Sequence, residues 1–383
     1  MVESELQREM QDYYRMNFKG ILGDKFTENE VSTIADQAFH CKFAQQLHFD
    51  DTLACYIAKF QQKDYAMRPY LSGWDCDYIH RLVNHHGGLL LGLFHYGAHR
   101  HILLDLVTMN IPSVAPIAGK AYEDLQQLVA ASSPDIASQV SLIEVEDDQV
   151  SRSVFKSLKS GRVGGIYVDG NMGPTSSSST QSTVNVNYFN YSIAVKAGIA
   201  RLSMLLNFPI LPVMSSASID APHVNFGRLI EPNIEIAKNG KQQAPQHIMQ
   251  TLYAGLENAV LKAPSSWEFA HCLHRWIQGV AKHTTFETSG PKPFVTTDIG
   301  TVQFLAVNTK TVSSLYLKGE LYWVNTKLAK GFKIPASLSD VFSQFYHTKR
   351  MPVITFKTAL IQQGFIPQNI LDQLVLNELV HVG

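Results

Sequence analysis

The chain has 383 residues, 45% hydrophobic and 17% charged, which provides apolar text for a large core and too little charge for a disordered chain. Thirty-two Lys and Arg against 33 Asp and Glu leave a formal net charge of −1, a balance that argues against a molecule built around nucleic acid. No stretch approaches the roughly 18 consecutive apolar residues of a bilayer span, and the acidic, polar start MVESELQREMQDYY carries no signal-peptide pattern.

Residues 1–66 read as a helical N-terminal cap. Thr27-Glu28-Asn29-Glu30 fits a capping box, with Val31, Ile34, Ala35, Ala38 and Phe39 following at helical spacing. From 67 to 285 the text alternates short apolar runs with amphipathic stretches. Helices are expected over 75–85, from 98, and over 121–131, 150–160 and 193–206. Strands are expected over 89–94, 113–118, 141–145, 163–168, 184–189 and 210–214. Continuous apolar strands alternating with helices predict an α/β domain with a mostly parallel central sheet flanked by helices. The polar run TSSSSTQST at 175–183 reads as a loop or lid. Residues 281–293, AKHTTFETSGPKP, read as a linker. Residues 293–383 read as a small α+β domain, with a winged-helix arrangement as one form and recognition or dimerisation as its role. Cys41, Cys55, Cys76 and Cys272 show no CxxC or metal-like spacing and read as reduced, mostly buried thiols of a cytoplasmic protein.

The densest chemical text is His95-Tyr96-Gly97-Ala98-His99-Arg100-His101, directly after the strand at 89–94. An imidazole at the carboxyl end of a sheet strand, beside the amides of a helix start, lies where open α/β sheets bind ligands. His85 and His86 read as a helix end, where imidazolium suits the helix dipole. His95 and His99 would share a helix face if the helix began early. That spacing, however, fits neither H-E-x-x-H nor a closed zinc site, and the expected metal is none. No G-x-S-x-G elbow is present, which disfavours a serine hydrolase.

Four segments then match a known family in order. They are GGLLLGLFHYG, SRSVFKSLKSGRVGGIYVDG, VNYFNYSIAVKAGIARLSMLLNFPILPV and PSSWEFAHCLHRW. Over about 75–278 the chain resembles the lysophospholipid acyltransferase superfamily, and most closely the late lipid A branch of lauroyl and myristoyl transferases. The resemblance implies acyl transfer from acyl-CoA or acyl carrier protein to a hydroxyl or amine. It maps His95 onto the catalytic histidine, Asp169 with Gly170 onto the acid of a later strand end, and Arg152 onto the arginine that starts a helix. The family places an acid five residues after the histidine, where this chain has Arg100. Asp169 is the preferred substitute, with a His101–Asp105 pair as the alternative. Arg100 is then expected to bind a substrate carboxylate or phosphate, with His99, Arg152, Gly170 and Asn171 as further substrate-binding residues. No cofactor is expected beyond the acyl thioester. The expected partners are that donor, such as an acyl carrier protein, and a small-molecule or carrier-tethered acceptor, with no nucleic acid and at most peripheral membrane contact. Two other readings stay open: an acyltransferase-like scaffold that binds without turnover, and a thioester or metal-dependent hydrolase.

Overall fold

The computed structural model describes residues 2–64, 68–145, 149–170, 183–216, 218, 221–277, 284–285, 304–317, 319–328 and 330–382. Helix α1 spans Val2–Leu22 and α2 spans Glu28–Gln61. The capping box forms as its spacing predicts: the Thr27 N–H donates to Glu30 Oε2 at 2.8 Å, and the Glu30 N–H to Thr27 Oγ1 at 3.4 Å. Helix α3, Cys76–His86, starts on Asp75, whose carboxylate accepts the Tyr78 N–H at 2.7 Å, and stops at Gly87 with φ +74°.

The sheet follows in chain order: β1 (Leu90–Leu93), α4 (Arg100–Thr108), β2 (Ser113–Ile117), α5 (Gly119–Ala131), α6 (Pro134–Gln139), β3 (Val140–Glu144), α7 (Val150–Lys159) and β4 (Val163–Tyr167). Then come β5 (Thr183–Tyr188), β6 (Tyr191–Lys196), α8 (Gly198–Leu206), β7 (Ile210–Ser215), β8 (Val224–Phe226) and α9 (Pro232–Lys262, interrupted at Gly240). Six strands form one sheet in the order β3-β2-β4-β1-β7-β8, parallel except for β8. Central β1 is buried along its whole length, which is why 89–94 reads as a continuous apolar run without alternation.

The helix expected over 193–206 is corrected. Tyr191–Lys196 is strand β6, paired antiparallel with β5 in a separate two-stranded sheet, and the helix starts at Gly198. Buried Tyr191, Ile193 and Val195 lie on one face, and this aromatic and β-branched, period-two pattern favours a strand over a helix. The hairpin turns at Phe189, which holds φ +50°. It is clamped to α9 by Gln250, whose side chain accepts the Asn187 N–H at 2.7 Å and donates to the Asn187 carbonyl at 2.8 Å.

The chain folds as two compact units, one of residues 40–269 and one of 1–39 with 270–383. This division differs from the expected boundaries at 66 and 285–293. Helix α2 continues through residue 39, and α1 packs within the unit that holds the C-terminal strands. There Met16 clusters with Leu315 and Tyr322, and the Lys19 ammonium donates to the Val312 carbonyl. That unit contains β9 (Thr284–Thr285), β10 (Phe304–Val307), β11 (Val312–Leu317), β12 (Glu320–Asn325), β13 (Lys330–Lys333), α10 (Ser339–Thr348), β14 (Arg350–Pro352), α11 (Val353–Gln362), α12 (Pro367–Leu376) and β15 (Val380–Val382). Its sheets are β14-β10-β15 and β11-β12-β13-β9, over a core of Trp323, Phe342, Phe345 and Phe356. Strands β11 and β12 form a hairpin that turns at Gly319, φ +76°. Of the four cysteines, only Cys272 is buried; Cys55 is exposed and Cys41 and Cys76 lie between. No helix among the described residues is long and apolar enough to cross a membrane.

Candidate active site

Three neighbouring parallel strands deliver side chains to one edge of the sheet. Strand β1 leads into His95, β4 into Asp169, and β7 ends on Ser215. His95 Nδ1 lies 2.8 Å from Asp169 Oδ1, and the His95 backbone N–H donates to the same carboxylate at 3.1 Å and 3.3 Å. The Trp267 indole N–H donates to Asp169 Oδ2 at 3.0 Å. Asp169 is fully buried, so these N–H groups stand in for water around its charge. A carboxylate facing Nδ1 assigns the proton to that nitrogen and leaves the Nε2 lone pair as the basic site. Among the described residues no hydrogen bond reaches Nε2, and 16% of the His95 side chain is exposed.

The loop that carries His95 is fixed by close backbone approach. Gly97 has φ +60°, and a Cβ there would stand 2.2 Å from the Ser216 carbonyl oxygen and 2.6 Å from Ser215 Oγ. Only glycine fits. The Ser215 hydroxyl donates to the Tyr96 carbonyl at 2.8 Å, the Gly97 N–H to the Ser266 carbonyl at 2.9 Å, and the Glu268 N–H to the His95 carbonyl at 2.8 Å. The imidazole lies between two rings, with the Tyr167 centroid at 4.4 Å and that of Phe269 at 3.9 Å. Gly170 borders the ring: a Cβ there would be 3.6 Å from His95 Cε1. Asn171 and residues 175–182 of the polar run lie outside the described residues.

His99 and Arg100, expected from the sequence to meet substrate, instead meet Glu268. The Arg100 guanidinium forks onto its two carboxylate oxygens at 2.7 Å and 2.9 Å, and His99 Nε2 donates to Oε2 at 2.9 Å. Lys42 adds an ion pair at 3.4 Å. Burial pushes the His99 ring down to about 4 and keeps it neutral. Burial opposes the ionised form of Glu268, but the hydrogen bond from His99 and the Arg100 charge outweigh it and hold the carboxyl well below the usual range. The Tyr167 hydroxyl donates to the His99 carbonyl at 2.9 Å, linking this cluster to the ring stacked on His95.

The alternative pair, His101 with Asp105, does not form. Asp105 accepts the Tyr70 N–H (2.6 Å), the Leu71 N–H (2.9 Å) and the Trp74 indole N–H (2.8 Å). His101 is 2% exposed, stacks on Tyr70 at 4.0 Å, and has neither ring nitrogen hydrogen-bonded. Arg152 is exposed on the first turn of α7 and has no hydrogen bond to His95 or Asp169. His85 and His86 end α3, where the sequence places them. Among the described residues no group of three or more His, Cys, Asp or Glu is placed to hold a metal ion. Trp267, Glu268 and Phe269 escape the sequence reading as site residues. The available signal was one acidic residue between two large aromatics in Trp267-Glu268-Phe269.

A family model described as bacterial lipid A biosynthesis acyltransferase matches residues 4–276. A comparison with curated proteins returns no match.

Proposed function

Because the chain belongs to the bacterial lipid A biosynthesis acyltransferase family and is an acyltransferase, we propose that it moves an acyl group from a thioester donor, acyl-CoA or acyl carrier protein, to a hydroxyl or amine, with His95 as general base. The observation that carries this reading is the His95 ring, held at Nδ1 by buried Asp169 and, among the described residues, without a hydrogen bond at Nε2.

The acceptor places its O–H or N–H on Nε2 while its oxygen or nitrogen attacks the thioester carbonyl. The proton passes to Nε2, and Asp169 stabilises the imidazolium at Nδ1. The tetrahedral oxyanion is met by amides at the start of α4. The C–S bond then breaks, and the departing thiolate takes the proton from Nε2 as the thiol. No covalent enzyme intermediate is required, because the thioester is already activated. The absent side chain at Gly170 leaves space against the ring edge for the acyl carbonyl. Arg152 and Asn171 complete the proposed substrate contacts. A cytoplasmic location with at most peripheral membrane contact belongs to the same proposal, since a net charge of −1 supplies no polybasic attraction to anionic lipid.

Asp169 at Nδ1 supports an enzyme over a scaffold without turnover, because it supplies the carboxylate that position 100 lacks. The test is thiol release from dodecanoyl-CoA and dodecanoyl-acyl carrier protein across a panel of hydroxyl and amine acceptors, including lipid A precursors. His95→Ala is expected to lower turnover by at least about 10²-fold. Equal thioester consumption by wild type and variant removes His95 from the chemistry.

A further inference from the structure

Glu268 lies 168 residues from Arg100 in sequence, and the mechanism above assigns it no step. Its side chain is 4% exposed and gathers three basic groups from two helices: Lys42 of α2, Arg100 of α4, and His99 at the α4 cap. Its own N–H holds the His95 carbonyl, and its neighbours Trp267 and Phe269 hold Asp169 and the His95 ring face. His99 in turn meets the His95 ring edge at 4.8 Å and supports Tyr167, which covers the other ring face.

We propose that Glu268 is a positioning residue for the transfer: by gripping Arg100, His99 and Lys42 it fixes the aromatic cage of His95 and offsets the neighbouring cations against the imidazolium that the base becomes. The inference rests on reading His95 as the base. Arg100 meets His99 at 3.2 Å and the His99 ring meets that of His95 at 4.8 Å, so positive charge gathered one ring away from a base that must itself become charged disfavours the transition state unless a buried anion compensates it. The neutral state of His99 fits this role, because a third cation there would add to the repulsion. Thioester binding in the ground state precedes any charge on His95, so the effect belongs to kcat and not to KM.

The test uses dodecanoyl-CoA thiol release on the full chain, with the folded fraction checked by circular dichroism. Glu268→Gln is expected to lower kcat at least about tenfold, since small misplacements and uncompensated charge each cost one to two orders of magnitude, with KM within about twofold. Arg100→Gln together with Glu268→Gln removes cation and anion alike and is expected to regain kcat to within about threefold of wild type. Lys42→Gln leaves the Arg100–Glu268 fork intact and therefore folds even where Glu268→Gln does not. With one cation fewer, its kcat is expected to rise about two- to fivefold at unchanged KM. A Glu268→Gln enzyme with wild-type kcat, a loss confined to KM, or a Lys42→Gln enzyme with unchanged or lowered kcat overturns the inference. His95→Ala run in parallel separates the two readings: if it stays active the base assignment fails, and if it alone is inactive only the role of Glu268 fails.

Discussion

Asp169 and His95 stand 74 residues apart in sequence, yet Asp169 Oδ1 lies 2.8 Å from His95 Nδ1, because β1 and β4 are adjacent parallel strands that end at the same edge. The carboxylate faces the imidazole ring and also its backbone amide, which fixes where the loop leaves the sheet as well as which nitrogen carries the proton.

Asp169→Asn separates these two functions. Both carboxylate oxygens face N–H donors, so an amide must turn one NH2 against another donor or present it to His95 Nδ1 and move the ring proton to Nε2. With the wrong tautomer, kcat is expected to fall about 10²–10⁴-fold, the scale seen when an aspartate–histidine pair loses its charge. The thioester KM stays within about threefold. Steady-state thiol release on the folded variant checks both numbers, and wild-type turnover would detach Asp169 from the chemistry.

Gly97→Ala acts on the backbone alone. The added methyl meets a main-chain carbonyl at 2.2 Å, which has no rotamer to yield, and the residue must keep a positive φ. The expected loss of stability is about 2–4 kcal/mol, read as a lower urea midpoint at unchanged slope. A midpoint equal to wild type would mean that the loop moves freely, contrary to the bonds that tie Tyr96 and Gly97 in place.

His101→Phe reports on an unpaired buried imidazole. Phenylalanine keeps the stack on Tyr70 and removes two unsatisfied nitrogens, so the variant is expected to gain about 1 kcal/mol near neutral pH. Burial, with His48 nearby, pushes His101 down to about 3 from an ordinary 6.5. The folded chain thus binds fewer protons there than the unfolded one between those values. Stability contributed by neutral His101 is full above pH 6.5 and is lost as pH falls towards 3. His99, down to about 4, has the same sign. Asp105 has the opposite sign: burial pushes it up to about 7, so its contribution is full at low pH and is lost as pH rises from 3.8 towards 7. Both groups remain in either protein, so the melting-temperature advantage of His101→Phe is expected to widen from pH 7.5 to pH 5. An advantage that narrows on acidification contradicts the assignment.

What the sequence disclosed follows from how far apart the interacting residues lie along the chain. Capping at Thr27, the stop at Gly87 and the apolar runs of β1, β2, β4 and β7 are local patterns, and they translate directly into elements. His95 and Asp169 were legible as strand-end polar residues within such runs. The passage 191–206 misled because strand β6 runs into α8 with only Ala197 between them, so a single apolar stretch hides two periodicities. Arg100 misled for a different reason. An arginine after a histidine looks free for a substrate anion until a carboxylate 168 positions away is known to occupy it. No local pattern reports such a partner, and the same distance hid Trp267 and Glu268.

The segment 266–269 also imposes an order of events during synthesis. Trp267 is made 98 residues after Asp169, the group it holds, so on the ribosome both strands bearing the base and its acid exist well before their anchors. A nascent or truncated chain ending before Ser266 carries His95 and Asp169 without the clasp that aims them, and therefore gains competence only when the last few residues of this unit arrive.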